Sequence, residues 1–371
     1  MIDILRDLIA INSVNPSLVP GGNGEADIAR YIATKLRAMR IDAVLEDAAP
    51  GRPNVVAVIE GASPGPSLML CGHSDTVGVE GMAAPFDPVE RDGRMYGRGS
   101  QDMKGGIAAI MGVAQTLAQE PLRKGSVVIA IVADEEYKSA GAEALVKLWS
   151  ADAAVVCEET DLTIGIGHKG FEWVEVTTEG VAAHGSRADD GVDAIAHMGR
   201  VLARLEKLDR SFAARPHPLL GRPSLHASLI HGGRELSTYP DRCTLEVERR
   251  TVEGEPPEIS LRETEAILDA LRAEDPKFRA SARCTFTRSP YVTPREHPLP
   301  QLLQRAAKTE LAAMTFWTDA AILGAAGIPT VIFGPGGEGL HGIDEYVRID
   351  EVFACRDALV ALARMYCEGE A

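Results

Sequence analysis

The chain has 371 residues, 45% of them apolar, and a formal net charge of −16. That length favours two domains, each able to bury its own core, and the apolar share suits a globular protein and excludes a disordered or collagenous one. The acidic balance, with no basic stripe to offset it, excludes a nucleic-acid surface, because a phosphate backbone would be repelled.

The opening "MIDILRDLIAINSV" sets Asp3, Arg6 and Asp7 among apolar residues, the pattern of an amphipathic helix and not of a signal peptide. No apolar run approaches the roughly 18 residues that span a bilayer. Residues 24–40 place Ile28, Tyr31, Ile32, Leu36 and Met39 at helical spacing. Strands are expected at "NVVAVIEG", "SLMLCGHSD" and "SVVIAIVAD", with helices at "GIAAIMGVAQTLAQ" and "AGAEALVKLW". This alternation belongs to an α/β domain with a largely parallel sheet, in which ligands bind beyond the carboxyl ends of the strands.

From about Lys169 the pattern changes. Strand "FEWVEVTTEG", helix "GVDAIAHMGRVLARLEKL", strands "SLHASLIHGG" and "RCTLEVERRTV", helix "SLRETEAILDALRAE" and strand "RASARCTFTRSP" give the order βαββαβ of a ferredoxin-like unit. The Pro-rich "RPHPLLGRP" within it reads as a surface loop. After about Leu299 the α/β pattern resumes with helix "LPQLLQRAAKT", strand "TVIFGPG" and helix "DEVFACRDALVALARMYCEG". The expected organisation is a first domain in two parts, residues 1–168 and 291–371, interrupted by an inserted domain at 169–290. Six cysteines (Cys71, Cys157, Cys243, Cys284, Cys355, Cys367) are scattered without a CxxC pair, as expected of reduced thiols in a cytoplasmic protein.

Polar residues gather where the apolar runs end. In "GHSDTV", His73 and Asp75 are two apart, so in extended backbone both side chains face the same way. A histidine can bind a metal through one nitrogen while a carboxylate takes the proton on the other. In "GRGSQDMKGG", Asp102 stands among glycines ahead of a helix, which suits either a precisely aimed acid or a plain helix N-cap. "ADEEY" crowds Asp134, Glu135 and Glu136 after a strand. Three such charges in an apolar pocket are unfavourable unless a cation joins them; otherwise one caps the next helix and the others are solvated. Glu158 and Glu159 follow another apolar run, and "FGPGGEGLHGIDE" brings His341 from a Gly-rich loop. Two histidines and several carboxylates form a mixed N/O donor set suited to zinc or a similar ion, and shared carboxylates fit a two-metal hydrolase.

Taken in order around the inserted unit, GHSDTV, GRGSQDMKGG, DEE, CEET and GPG...LH resemble the motifs of the M20 family of zinc metallopeptidases, over nearly the whole chain. That family includes acetylornithine deacetylase, succinyl-diaminopimelate desuccinylase, aminoacylase and glutamate carboxypeptidase relatives. The resemblance implies a mostly parallel sheet flanked by helices, with a ferredoxin-like lid that also dimerises. It implies two divalent ions, zinc first, with cobalt or manganese as alternatives. His73 and Glu158 would hold one, His341 and Glu136 the other, and Asp102 would bridge them. Asp75 would orient His73, and Glu135 would be the general base on the bridging water. His184, in "GVAAHGSRADDGVDAI", would hold the substrate carbonyl oxygen across a dimer interface built on the helix around Ile195 to Leu205.

The implied reaction is hydrolysis of the amide bond of an N-acyl amino acid by a zinc-activated water. A dipeptidase or carboxypeptidase on a small peptide is the alternative, and a non-catalytic metal-dependent binding protein a distant one. Cys157 and Glu159 replace the usual glycine and proline of the third acidic motif, leaving Glu159 as a fallback ligand for Glu158. Ser237 replaces the usual asparagine before the lid's "PD". Arg249 or Arg250 resembles the arginine that engages a substrate carboxylate, with a solvated strand edge as the plain alternative. Ser237, Arg250 and Glu338 are the candidates for substrate contact. His168, His197, His217, His226, His231 and His297 read as packing or surface residues.

Overall fold

Runs of β-branched and small apolar residues at Arg52–Glu60, Ser67–His73, Ser126–Val132 and Ala153–Val156 form neighbouring strands, buried along nearly their whole length. Such continuous apolar runs are what a sheet covered on both faces requires. The computed structural model describes residues 1–369. In it, Ser67–His73 lies between Ser126–Val132 and Ala153–Val156 and runs parallel to both. Thr330–Ile332 extends the parallel core beside Ala153–Val156. Toward the other edge, Arg52–Glu60 is antiparallel to Ser126–Val132 and to Ala43–Ala49.

The parallel register decides where the polar residues go. His73 pairs with Val132, and Cys71 pairs with Val156. The segments that follow these strands, which carry Asp75, Asp134 to Glu136 and Glu158, therefore leave the sheet at one common end. Helices Ala26–Ala38, Gly105–Gln119, Ala140–Leu148 and Ile349–Glu368 pack against this sheet. Gly105–Gln119 is apolar nearly all round because it lies against both the sheet and Ile349–Glu368.

The chain divides into two units, one of Met1–Gly167, Thr293–Met314 and the chain from Thr318 on, the other of His168–Val292 and Thr315–Trp317. The second unit is a four-stranded antiparallel sheet in the order Ser224–Gly232, Arg242–Thr251, Gly170–Glu179, Arg279–Arg288. Alternate residues of its strands, Val174, Val176, Leu245 and Val247, form a core with Met198 and Val201 of helix Ala194–Ser211 and Leu268 of helix Ile259–Glu274. The short return Thr315–Trp317 joins it through the Trp317 ring, 6.2 Å from Phe171 and 6.0 Å from His168.

A third, small sheet of Val89–Arg91, Arg94–Tyr96, Gly337–Glu338 and Tyr346–Arg348 escapes any reading of periodicity, since its strands are two or three residues long. No helix among the described residues is long and apolar enough to cross a membrane.

Candidate metal centre

His73 ends its strand with a side chain almost wholly buried, and its Nδ1 lies 3.0 Å from the main-chain oxygen of Asp75. That contact turns Nε2 toward two carboxylates, Asp102 Oδ1 at 2.9 Å and Glu158 Oε2 at 3.6 Å. On the other side of Asp102, Oδ2 lies 3.1 Å from Nε2 of His341, which is itself 3.5 Å from Glu136 Oε2. The ligand atoms thus fall into two groups, His73, Asp102 and Glu158, and Asp102, Glu136 and His341, each within 4.8 Å of one another. Asp102 belongs to both and offers a different oxygen to each.

The loop that carries Asp102 is held at both ends. Glu345, 1% exposed, accepts main-chain N–H groups from Gly99 (3.0 Å), Gln101 (2.9 Å) and Asp102 (3.2 Å) and pairs with Arg98 at 2.6 Å. The fully buried Lys104 anchors the far end, its Nζ donating to the Ile11 carbonyl at 2.9 Å. Only glycine fits at position 106, where a Cβ would stand 2.1 Å from the Cys157 carbonyl oxygen. This close approach brings the loop against the residue preceding Glu158.

Asp75 sits beneath the acidic turn. Its Oδ1 accepts the Glu135 amide at 3.1 Å and its Oδ2 accepts the Glu136 amide at 3.2 Å, while Oδ1 stands 3.6 Å from His73 Nδ1. The carboxylate therefore supports the turn at least as directly as the histidine ring. Asp134 joins neither ligand group and is ion-paired with Arg52. Glu159 also lies outside both, and its buried Oε2 lacks a hydrogen-bond partner.

The electrostatics describe a site built for cations. Burial, reinforced by the neighbouring acids and opposed by His73, pushes the Glu135 carboxyl well above its usual range. Burial and the Asp102 charge push Glu136 up to about 7. Burial raises Glu158 against the pull of His73. Against its own burial, Asp102 is held well below the carboxylate range by hydrogen bonds from His341 and His73. The bonds to Asp102 and Glu136 raise His341 to about 10. One oxygen of Glu136 is buried without any hydrogen-bond partner. Like charges crowded around an orphaned oxygen, with imidazole and carboxylate donors converging, fit divalent metal ions in both groups.

Two acids that sequence reasoning passed over belong to these surroundings. Glu345 carries one available signal, an acid close behind the candidate ligand His341. Asp319, 2% exposed, opens the helix Ala320–Ala325, where it reads as an ordinary cap; burial pushes its carboxyl up to about 7.

In the second unit, His184 is exposed, with Nδ1 2.9 Å from Ser186 Oγ, and it forms an isolated antiparallel bridge with Thr238 outside any strand. Ser237, also exposed, accepts the Gly185 amide at 2.7 Å. The two arginines part company. Arg249 is fully buried between Glu255 and Glu263, whereas Arg250 points to the other face over the Phe171 ring, with Nε donating to Glu248 at 2.6 Å. His168 and His197 are buried beside aromatic rings.

The sequence model of Peptidase family M20/M25/M40 matches residues 69–365. An acetylornithine deacetylase of Myxococcus xanthus is 32% identical over 379 residues, covering 98% of this chain and 97% of that protein. Among solved structures, a tripeptidase from Staphylococcus aureus superposes with a TM-score of 0.80 at 20% identity, covering 98% and 97% of the two chains. The Bacillus subtilis YXEP protein, described as a dinuclear metal binding peptidase, gives 0.74 at 19% identity over 99% and 97%. At these identities the structures speak for the fold.

Proposed function

The chain belongs to the M20/M25/M40 peptidase family and is a metal-dependent amide hydrolase, and from that premise we propose that its substrate is an N-acyl amino acid. The observation that carries the hydrolase reading is Asp102, whose two oxygens belong to separate His and Glu groups, with the base candidate Glu135 next in the chain to the ligand candidate Glu136. The near full-length likeness to a deacetylase supports the acyl substrate over a peptide.

We assign one divalent ion to His73 and Glu158 and a second to His341 and Glu136, with Asp102 shared. The donors suit zinc, with cobalt or manganese as alternatives. Bound there, such ions supply Lewis acidity, which polarises a carbonyl and lowers the pKa of water to about 7. Glu135 takes the proton from the attacking water and returns it to the leaving amine. A carboxyl held above its usual range by burial suits both steps. Asp75 fixes the turn that presents Glu135. His184 is assigned to the substrate carbonyl oxygen, donated from the second subunit of a homodimer. Arg250 and Ser237 are assigned to the substrate's carboxylate end.

The second unit takes the role of lid and dimerisation domain. Its helix Ala194–Ser211 exposes Ile195, and strand Ser224–Gly232 exposes Leu229 and Ile230, apolar side chains of the kind subunit contacts cover. Six unpaired cysteines suit a cytoplasmic protein. Assaying metal-loaded protein against N-acetyl, N-succinyl and N-formyl amino acids beside dipeptides tests the substrate. Turnover of one acyl class above the dipeptides is expected; turnover of dipeptides alone overturns it.

A further inference from the structure

We propose that Asn15 is a positioning residue for the reaction: its side-chain amide ties Asp75 to Asp134 and thereby sets where Glu135 and Glu136 stand. The inference rests on the roles given above to those two glutamates.

The turn after strand Ser126–Val132 has an unusual load. It carries the base candidate and a ligand candidate on adjacent residues, and it starts at Asp134 with φ +68°. The carbonyl of Asp134 closes the turn by accepting the Lys138 amide at 3.1 Å and the Ser139 amide at 2.6 Å. Side-chain support comes from two buried carboxylates. Asp75 receives the amides of Glu135 and Glu136, and Asp134 Oδ2 receives the Ala140 amide at 3.3 Å.

Two buried anions set side by side repel each other. A single neutral group stands between them: Asn15 Nδ2 donates to Asp75 Oδ2 at 2.8 Å and to Asp134 Oδ1 at 3.1 Å. Asn15 is fully buried, and every polar atom of it is engaged. Its Oδ1 accepts the Ser17 amide at 2.9 Å, its main-chain N–H donates to Thr76 O at 2.9 Å, and its carbonyl accepts the Val19 amide at 2.8 Å. The side chain therefore has one place to be. Arg52 secures the same Asp134 oxygen at 2.6 Å, and Glu25, bonded to Arg52 Nε at 2.8 Å, accepts the Asp134 amide at 3.1 Å.

Removing the Asn15 donor takes away one of the bonds that fix Asp75 and leaves Arg52, on the Asp134 side, as the charge that offsets the two facing carboxylates. The Glu135 amide then loses a fixed acceptor, and the base moves relative to the ligands. A displacement near 1 Å at a reacting group costs on the order of a hundredfold in rate.

The test is a double-mutant cycle on metal-loaded protein, with metal content and circular dichroism checked for each variant. Asn15→Ala is expected to keep its metals and to hold KM within about threefold while kcat falls on the order of thirty- to a hundredfold. Asn15→Gln, which retains both donors, is expected to recover part of that loss. In a Glu135→Gln background, Asn15→Ala is expected to cause a much smaller further fall in kcat, because the proton carrier it positions is already disabled and what remains is its effect on Glu136. Losses that multiply, or an unchanged kcat in the single variant, overturn the inference. Should Asn15→Ala fail to fold, Asn15→Ser, which also lacks the reach to both carboxylates, goes through the same cycle under the same criterion. Wild-type protein inactive on every amide overturns the functional reading instead, whereas hydrolysis that needs Glu135 but ignores Asn15 overturns only this inference.

Discussion

The main-chain amide of Glu135 donates to Oδ1 of Asp75 at 3.1 Å, so the acid expected to steer a histidine also supports the residue expected to move the proton. Asp75→Asn separates the two functions. Its amide nitrogen would face either the Glu135 or the Glu136 N–H, setting donor against donor, and a buried amide without an acceptor costs about 1–3 kcal/mol. The expected result is a fall in kcat of roughly a hundredfold or more with the His73 metal retained. Steady-state kinetics with metal analysis checks it; loss of that metal with kcat preserved in the loaded fraction would return Asp75 to histidine orientation alone.

Asp102 is shared by the two ligand groups, so its loss should empty both. Asp102→Ala is expected to bind less than one metal ion per chain after gel filtration, where Glu136→Ala or Glu158→Ala loses mainly one. Elemental analysis reads this directly. Two ions retained in Asp102→Ala would show that the groups do not depend on a common bridge.

The titration of the metal-free protein has a definite sign. Glu136 is raised from 4.5 to about 7, so the stability it contributes is full below 4.5 and lost as pH rises through about 7. His341 is raised from 6.5 to about 10, so its contribution is full below 6.5 and lost as pH rises through about 10. Both groups weaken the chelated protein as pH increases, while cations replace the protons they release. The Tm gained on adding metal should therefore be larger at about pH 8 than at about pH 5, as differential scanning fluorimetry would show. A gain that shrinks over that range contradicts the assignment.

Among the described residues Glu345 has no hydrogen bond or ion pair with either histidine ligand, yet it holds the Asp102 loop through three amides and Arg98. Glu345→Gln, nearly isosteric, turns one acceptor into a donor pointing at the loop and removes the partner of a buried arginine. A destabilisation of about 2–4 kcal/mol is expected, with weaker metal binding. Urea unfolding and competition with a chelator measure both. Unchanged metal affinity would make Glu345 a fold residue only.

What could be read in advance followed physical lines. Histidines and acids at the ends of apolar runs stand out because each strand advertises its own end, and His73, Glu136 and Glu158 lie in such places, whereas Asp102 and His341 are marked by the glycines around them. The βαββαβ order was visible because each element is long enough for its period to repeat. Glu345 and Asn15 were not visible, because their work is with atoms far along the chain: 243 to 247 residues away for Glu345, 60 and 119 for Asn15. Neither carries a local sign that a main-chain amide or a second carboxylate will be its partner. Arg249 and Arg250 show a smaller limit of the same kind. Strand alternation sends them to opposite faces, but only the packing of helix Ile259–Glu274, with Glu263, decides which is buried.

Two metal ions held by the paired ligand groups, with Glu135 carrying the proton, together make one joint prediction. Glu135→Gln, measured for metal content and for turnover on the best acyl substrate in the same preparation, tests it most directly. The expected result is two ions per chain, as in the parent protein, with kcat reduced by about a hundredfold to ten-thousandfold. Full turnover with both ions present would remove Glu135 from the proton transfer.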